Sequence, residues 1–107
     1  MRLNERPIII SVYKIVVAGT NIGPWSYVWT NEYKIEQDDG RLYFTFEEHI
    51  DEWLKEAKEY VADYGYELEI VQYRIETIES AVIVDRKQVI IERDKIMKMK
   101  EIERRKV

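Results

Sequence analysis

A chain of 107 residues, 46% hydrophobic and 36% charged, has the apolar content to close one core but not the length for two, so one folded domain is expected. With no cysteine, disulfides, thiolate nucleophiles and cysteine metal ligands are excluded together, which suits a reducing, cytoplasmic setting. The formal charge of −4 conceals an uneven spread: residues 1–30 carry three bases and one acid, residues 31–80 five and fifteen, and residues 81–107 nine and five.

No run of about 18 apolar residues occurs, and the apolar stretch at 7–18 is interrupted by Ser11, Tyr13 and Lys14, so no membrane span is expected. The first six residues lead into a β-branched run rather than a Leu/Ala-rich segment, which does not read as a secretory signal. Abundant Glu, Lys, Arg and Ile with few Asn and Gln lean toward a thermophile-like composition.

In chain order, residues 8–17 place bulky groups on both parities and predict a strand covered on both sides, in the interior of a sheet. Gly19 to Pro24 reads as a loop, with glycines for positive φ and a proline that ends pairing. From Trp25 the alternation Trp25, Tyr27, Trp29, Tyr33, Ile35 predicts a half-buried aromatic strand. Asp39-Gly40 then signals a hairpin into a third strand from Arg41 to Thr45.

Thr45 and Glu48 fit a capping box, and Phe46, Ile50, Trp53, Leu54, Ala57, Tyr60, Val61 and Tyr64 recur at three- and four-residue steps. A helix is expected over residues 46–64, ended by Gly65. Residues 66–78 predict another strand, with a parity change that calls for a bulge near Ile70-Val71 or burial of both faces. Residues 81–84 and 89–91 predict a hairpin, followed by a short basic helix over about 94–105. The expected fold is α+β: a small antiparallel sheet in the meander β-β-β-α-β-β-β, with the central amphipathic helix on one face and the basic helix at the C-terminal end.

The sharpest chemical pattern lies on the central helix. At 100° per residue Glu48, Glu52, Glu56, Glu59 and Asp63 fall within about 80° of one another, opposite the apolar stripe and with no base among them. Like charges at four-residue spacing are mildly destabilising, and acids near the C-terminal end oppose the helix dipole. A solvated face is the ordinary outcome for such a run. The functional expectation is an anionic stripe for a basic protein surface, such as a nucleic-acid-binding channel or a second copy in a homodimer.

The basic set Lys95, Lys98, Lys100, Arg104 and Arg105, on the expected C-terminal helix, is the alternative: a nucleic-acid contact, disfavoured by the negative total, or the complement of the acidic stripe in a homo-oligomer. The aromatic strand reads as core rather than as a base-stacking platform, because Glu32 and Glu36 interleave with a single lysine.

Catalysis has little to draw on. His49 is the only histidine, Ser11, Ser26 and Ser80 lack a nucleophile elbow, and Gly19 and Gly23 are not followed by the Lys-Ser/Thr of a phosphate loop. No enzyme activity, metal or cofactor is expected, since one helix face presents carboxylates side by side rather than convergent. A short cysteine-free chain of this kind is similar in general character to accessory proteins of phages, archaeal viruses and mobile elements, and an inhibitor that occupies a basic site on a larger partner is one expected role. The expected function is thus a small interaction protein acting through Glu48, Glu52, Glu56, Glu59 and Asp63.

Overall fold

The computed structural model describes residues 7–24, 41–78, 82–84, 87–92 and 95–107. Along them run β1 (Pro7–Val17), β2 (Arg41–Phe44), a 3-10 turn (Glu47–His49), α1 (Ile50–Val61), β3 (Leu68–Ile78), β4 (Val82–Val84), β5 (Gln88–Glu92) and β6 (Ile96–Lys106). The fold is α+β, with antiparallel pairing throughout and one helix described. The aromatic strand expected over residues 25–36 and the turn at 37–40 lie outside the described residues.

The strands form two three-stranded sheets rather than one meander, in the orders β1-β3-β6 and β2-β5-β4. Only β4 and β5 make the sequence-adjacent hairpin expected at 81–91. The long pairing joins β1 to β3 across the helix, from Pro7 opposite Ile78 to Val17 opposite Leu68 with no slip. Local pattern cannot encode that choice, because any strand with two apolar faces can serve as the middle of a sheet.

Each face of the first sheet meets a different partner. Val12 and Val16 of β1 and Val71, Tyr73 and Ile75 of β3 face the second sheet and pack with Phe44, Val89 and Ile91. Phe44 meets Tyr73 edge to face, with ring centroids 5.7 Å apart. On the opposite face Ile15, Val17, Leu68 and Ile70 receive Ile50, Ala57 and Val61 of α1, with Trp53 and Leu54 beside them. The parity change read in β3 therefore resolves as burial on both faces. The β1–β3 register is unbroken, and the irregularities fall in the β3–β6 pairing, at Gln72/Tyr73 and Glu76/Thr77. Ile102 and Met97 are the extra residues there, since the register passes from Glu103 to Glu101 and from Lys98 to Ile96.

Two expectations need correction. Among the described residues β1, which is covered on both faces only in its C-terminal half, stands at the edge of its sheet and meets one isolated bridge on its other side, between Tyr13 and Thr45. The expected C-terminal basic helix does not form: residues 96–106 are the eleven-residue strand β6. Lys, Glu, Met and Arg all favour helix, but this segment has no continuous apolar stripe to bury as one. As a strand it satisfies the second edge of β3, whose backbone groups would otherwise stand unpaired.

The capping box is overridden too. The helix is entered through the 3-10 turn, whose N-cap Phe46 makes no side-chain cap bond, and α1 runs from Ile50 to Val61 instead of 46–64. Thr45 is fully buried in the bridge to Tyr13, and its hydroxyl donates to the Lys87 carbonyl at 2.7 Å. Gly65, at φ 69°, holds the left-handed position expected of it, four residues past the helix end. Thr45→Val is therefore expected to cost about 0.5–1.5 kcal/mol by removing a part-buried hydrogen bond to Lys87. Glu48→Ala should leave the urea midpoint nearly unchanged; a working capping box would make both substitutions costly.

Candidate functional site: the acidic helix face and the basic strand

The orientation of α1 follows from its buried stripe. With Ile50, Ala57 and Val61 pinned against the first sheet, the 3.6-residue period turns Glu52, Glu56 and Glu59 to the outside, where all three are exposed. The two ends of the predicted stripe are not on the helix. Glu48 lies in the 3-10 turn, with its side chain 74% exposed, and Asp63 lies in the turn that follows Val61. The structure thus places Glu52, Glu56 and Glu59 on the exposed side of α1 and Glu48 and Asp63 in the turns at its two ends.

They are not equivalent. Glu52 accepts a hydrogen bond from Lys87 Nζ at 2.7 Å, tying the helix to the β4–β5 hairpin. That bond, and then the lysine charge, hold the Glu52 carboxyl below its ordinary range. An exposed pair of this kind contributes little to stability, but it partly neutralises the middle of the stripe. His49 stands 3.7 Å from Glu48 and 3.9 Å from Glu52, too far for hydrogen bonds and half-hidden beneath the two acids. Glu56, Glu59 and Asp63 make no hydrogen bond or ion pair among the described residues. They form the unneutralised part of the face.

The basic candidates separate more sharply. Lys95 precedes β6, and its carbonyl accepts the buried Thr77 hydroxyl at 2.8 Å, so its backbone role is structural. On β3 the even residues share the helix-side face, as Leu68 and Ile70 show, and the odd residues share the face toward the second sheet. Their partners on β6 follow: Lys98 lies opposite Glu76, Lys100 opposite Arg74, Glu103 opposite Gln72 and Arg105 opposite Ile70, all on the helix side. Arg104 lies opposite Val71 and therefore on the other face.

Arg104 is also fully engaged. Its guanidinium donates to the Thr20 carbonyl at 2.8 Å, Asn21 Oδ1 at 2.6 Å, Glu101 at 2.9 Å and Glu69 at 3.2 Å. Glu69 is buried, and its carboxylate also accepts from the Gly19 amide at 2.8 Å. The Gly19 bond is the main reason its carboxyl is held below the usual range, with Arg104 adding to it against the opposing effect of burial. This clasp fastens the loop after β1 to β6. It removes Arg104 from any surface for nucleic acid, and the basic helix that was to present it is absent.

Sequence reasoning missed Arg74. It sits between Tyr73 and Ile75 on β3, and only the register shows that it faces Lys100 directly. The Glu69–Arg104 clasp was missed as well, because its groups are 35 residues apart. Among the described residues no group of three or more His, Cys, Asp or Glu side chains could hold a metal ion, and no helix is long and apolar enough to cross a membrane. An open groove lies beside the end of α1, with Lys58, Tyr66, Glu67, Lys106 and Val107 in its wall. Against known proteins, no family model, no curated protein and no solved structure matches this chain.

Proposed function

We propose that the protein is a non-enzymatic interaction protein that engages a basic protein surface through the acidic side of α1, either occupying such a site on a larger partner as an inhibitor does or joining copies of itself. The observation that carries this reading is the set Glu56, Glu59 and Asp63, exposed and unpaired among the described residues: a helix whose inner face is locked to the sheet holds Glu56 and Glu59 outward, and Asp63 follows in the turn at its end. A surface helix under selection for stability alone gains from lysines interleaved at four-residue spacing, and here only Lys55, four residues before Glu59, borders the strip. Opposite charge on a partner supplies what the fold leaves out, and it steers the encounter before contact is made.

The test is capture from source-cell lysate by the wild type and by a Glu56→Lys, Glu59→Lys, Asp63→Lys variant shown by circular dichroism to be folded. A Lys/Arg-rich protein retained by the wild type, released as salt is raised and lost by the variant is the expected result. Equal capture by both proteins would sink the reading, since the acids would then be a solvated face only.

A further inference from the structure

The helix-side face of the first sheet is only half covered. Helix α1 occupies the half bearing Ile15, Val17, Leu68 and Ile70. The other half carries Ile9, Ser11, Arg74, Glu76, Lys98 and Lys100, placed side by side by the registers of β1 with β3 and of β3 with β6. Ile9 is 67% exposed there, and Arg74, Lys98 and Lys100 are all exposed. Lys98 faces Glu76, but Arg74 faces Lys100 with no acid opposite either. Like charges directly across a strand pair are destabilising, and among the described residues no ion pair relieves this one. The fold therefore keeps a local excess of positive charge next to an exposed isoleucine, on a surface that no described element covers.

We infer that this half-face docks the acidic side of α1 from a second copy of the chain. The proposal rests on the reading of that helix side as a docking surface and names its partner. The signs match, since Glu56, Glu59 and Asp63 are the unneutralised acids, Arg74 and Lys100 are the bases with no acid opposite, and Lys98 stands beside them across from Glu76. The dimensions match as well. Glu56 and Glu59 lie about 4.5 Å apart along α1 at 1.5 Å per residue, with Asp63 in the turn beyond its end. Lys98 to Lys100 covers about 7 Å along β6, with Arg74 about 5 Å to the side on β3. The shapes agree, because a helix standing on half of a sheet leaves a step beside it that another helix can fill. Ridge and step lie on the same side of one sheet, so a two-fold axis makes the contact twice, each copy giving its helix and receiving the other's. The acids Glu76 and Glu103 share the basic face and limit its excess, which makes the association salt-sensitive rather than permanent.

Sedimentation equilibrium at about 100 μM protein and low salt tests this with two folded variants, Arg74→Glu, Lys98→Glu, Lys100→Glu and Glu56→Lys, Glu59→Lys, Asp63→Lys. The wild type is expected to dimerise, with affinity falling at least tenfold in about 0.5 M salt. Each variant alone should be monomeric. An equimolar mixture of the two should restore dimers, because each reversed helix then meets a reversed sheet, a rescue that a misfolded variant could not give. A monomeric wild type, or a dimer indifferent to either reversal, overturns the proposal. If the wild type is monomeric yet loses a basic lysate partner on helix reversal, self-docking falls while the helix-face reading stands. If it dimerises with no response to helix reversal, self-docking falls, and the helix-face reading falls with it only if lysate capture is also unchanged.

Discussion

Ile75→Ala is expected to lower the free energy of unfolding by about 2–5 kcal/mol, whereas Met99→Ala, directly opposite it on β6, should cost well under 1 kcal/mol. The two side chains form one cross-strand pair on one face, so strand propensity and pairing do not separate them. Cover does. Ile75 is fully buried in the middle strand of its sheet, packed in the cluster with Phe44, Val89 and Ile91 of the second sheet. Met99 is 49% exposed, beyond the reach of that cover. Truncating Ile75 removes buried methyl groups and leaves a cavity between two sheets that can collapse only partly; truncating Met99 exposes little that was hidden. Urea unfolding checks this through the midpoints, with similar m-values expected for all three proteins. Similar losses at both positions would mean that the second sheet does not close over β3 at Ile75.

Arg104→Ala is expected to lower the thermal midpoint on the order of 5–10 °C, the largest loss from any single charged side chain. It removes four hydrogen bonds at once and leaves the buried Glu69 carboxylate with the Gly19 amide as its remaining donor. The loop from Ala18 to Ile22 then loses its tie to β6, and its amides should exchange faster than those in the middle of β3. Glu69→Gln provides the pH signature. Because the folded carboxyl titrates below its unfolded value of about 4.3, the stability it supplies is complete above that value and is lost as pH falls through the lower folded value. The gap in midpoint between wild type and Glu69→Gln should therefore be constant from about pH 6 to 8 and close under acid, below about pH 4. A gap that persists unchanged into acid would show that the clasp works by packing, not by charge.

The candidate site was half legible in the sequence. The acidic side of α1 was readable because helical period and charge are both local: once Ile50, Ala57 and Val61 point inward, Glu52, Glu56 and Glu59 can only point out. Its inequality was not readable, because the cation that neutralises Glu52 comes from the β4–β5 hairpin, 35 residues away. The basic candidates were the right residues on the wrong element. Reading residues 94–105 as a helix would gather bases along a cylinder, whereas the strand divides them, sending Lys98, Lys100 and Arg105 to one face and Arg104 to the other. The capping box failed for a related reason, since a hydroxyl that fits a helix start also fits a buried carbonyl, and the fold supplied the carbonyl.

Period, punctuation and side-chain volume already specify strands over about 8–17, 41–45 and 66–78, a helix after Phe46, the turn of the chain at Gly65 and a hairpin over 81–91, each within two residues of the observed strands and hairpin. These are properties of neighbours within a few positions, where the 2.0 and 3.6 repeats and the need for positive φ act without reference to the rest of the molecule. Which strand takes the centre, that β6 is a strand at all, and that Arg74 meets Lys100 while Arg104 meets Glu69 come from contacts between distant segments. A lysine- and glutamate-rich segment can be helix or strand at nearly equal local cost. The unpaired edge of β3 outweighs that small difference by giving the backbone of residues 96–106 a partner, and the faces of the candidate site follow from that pairing.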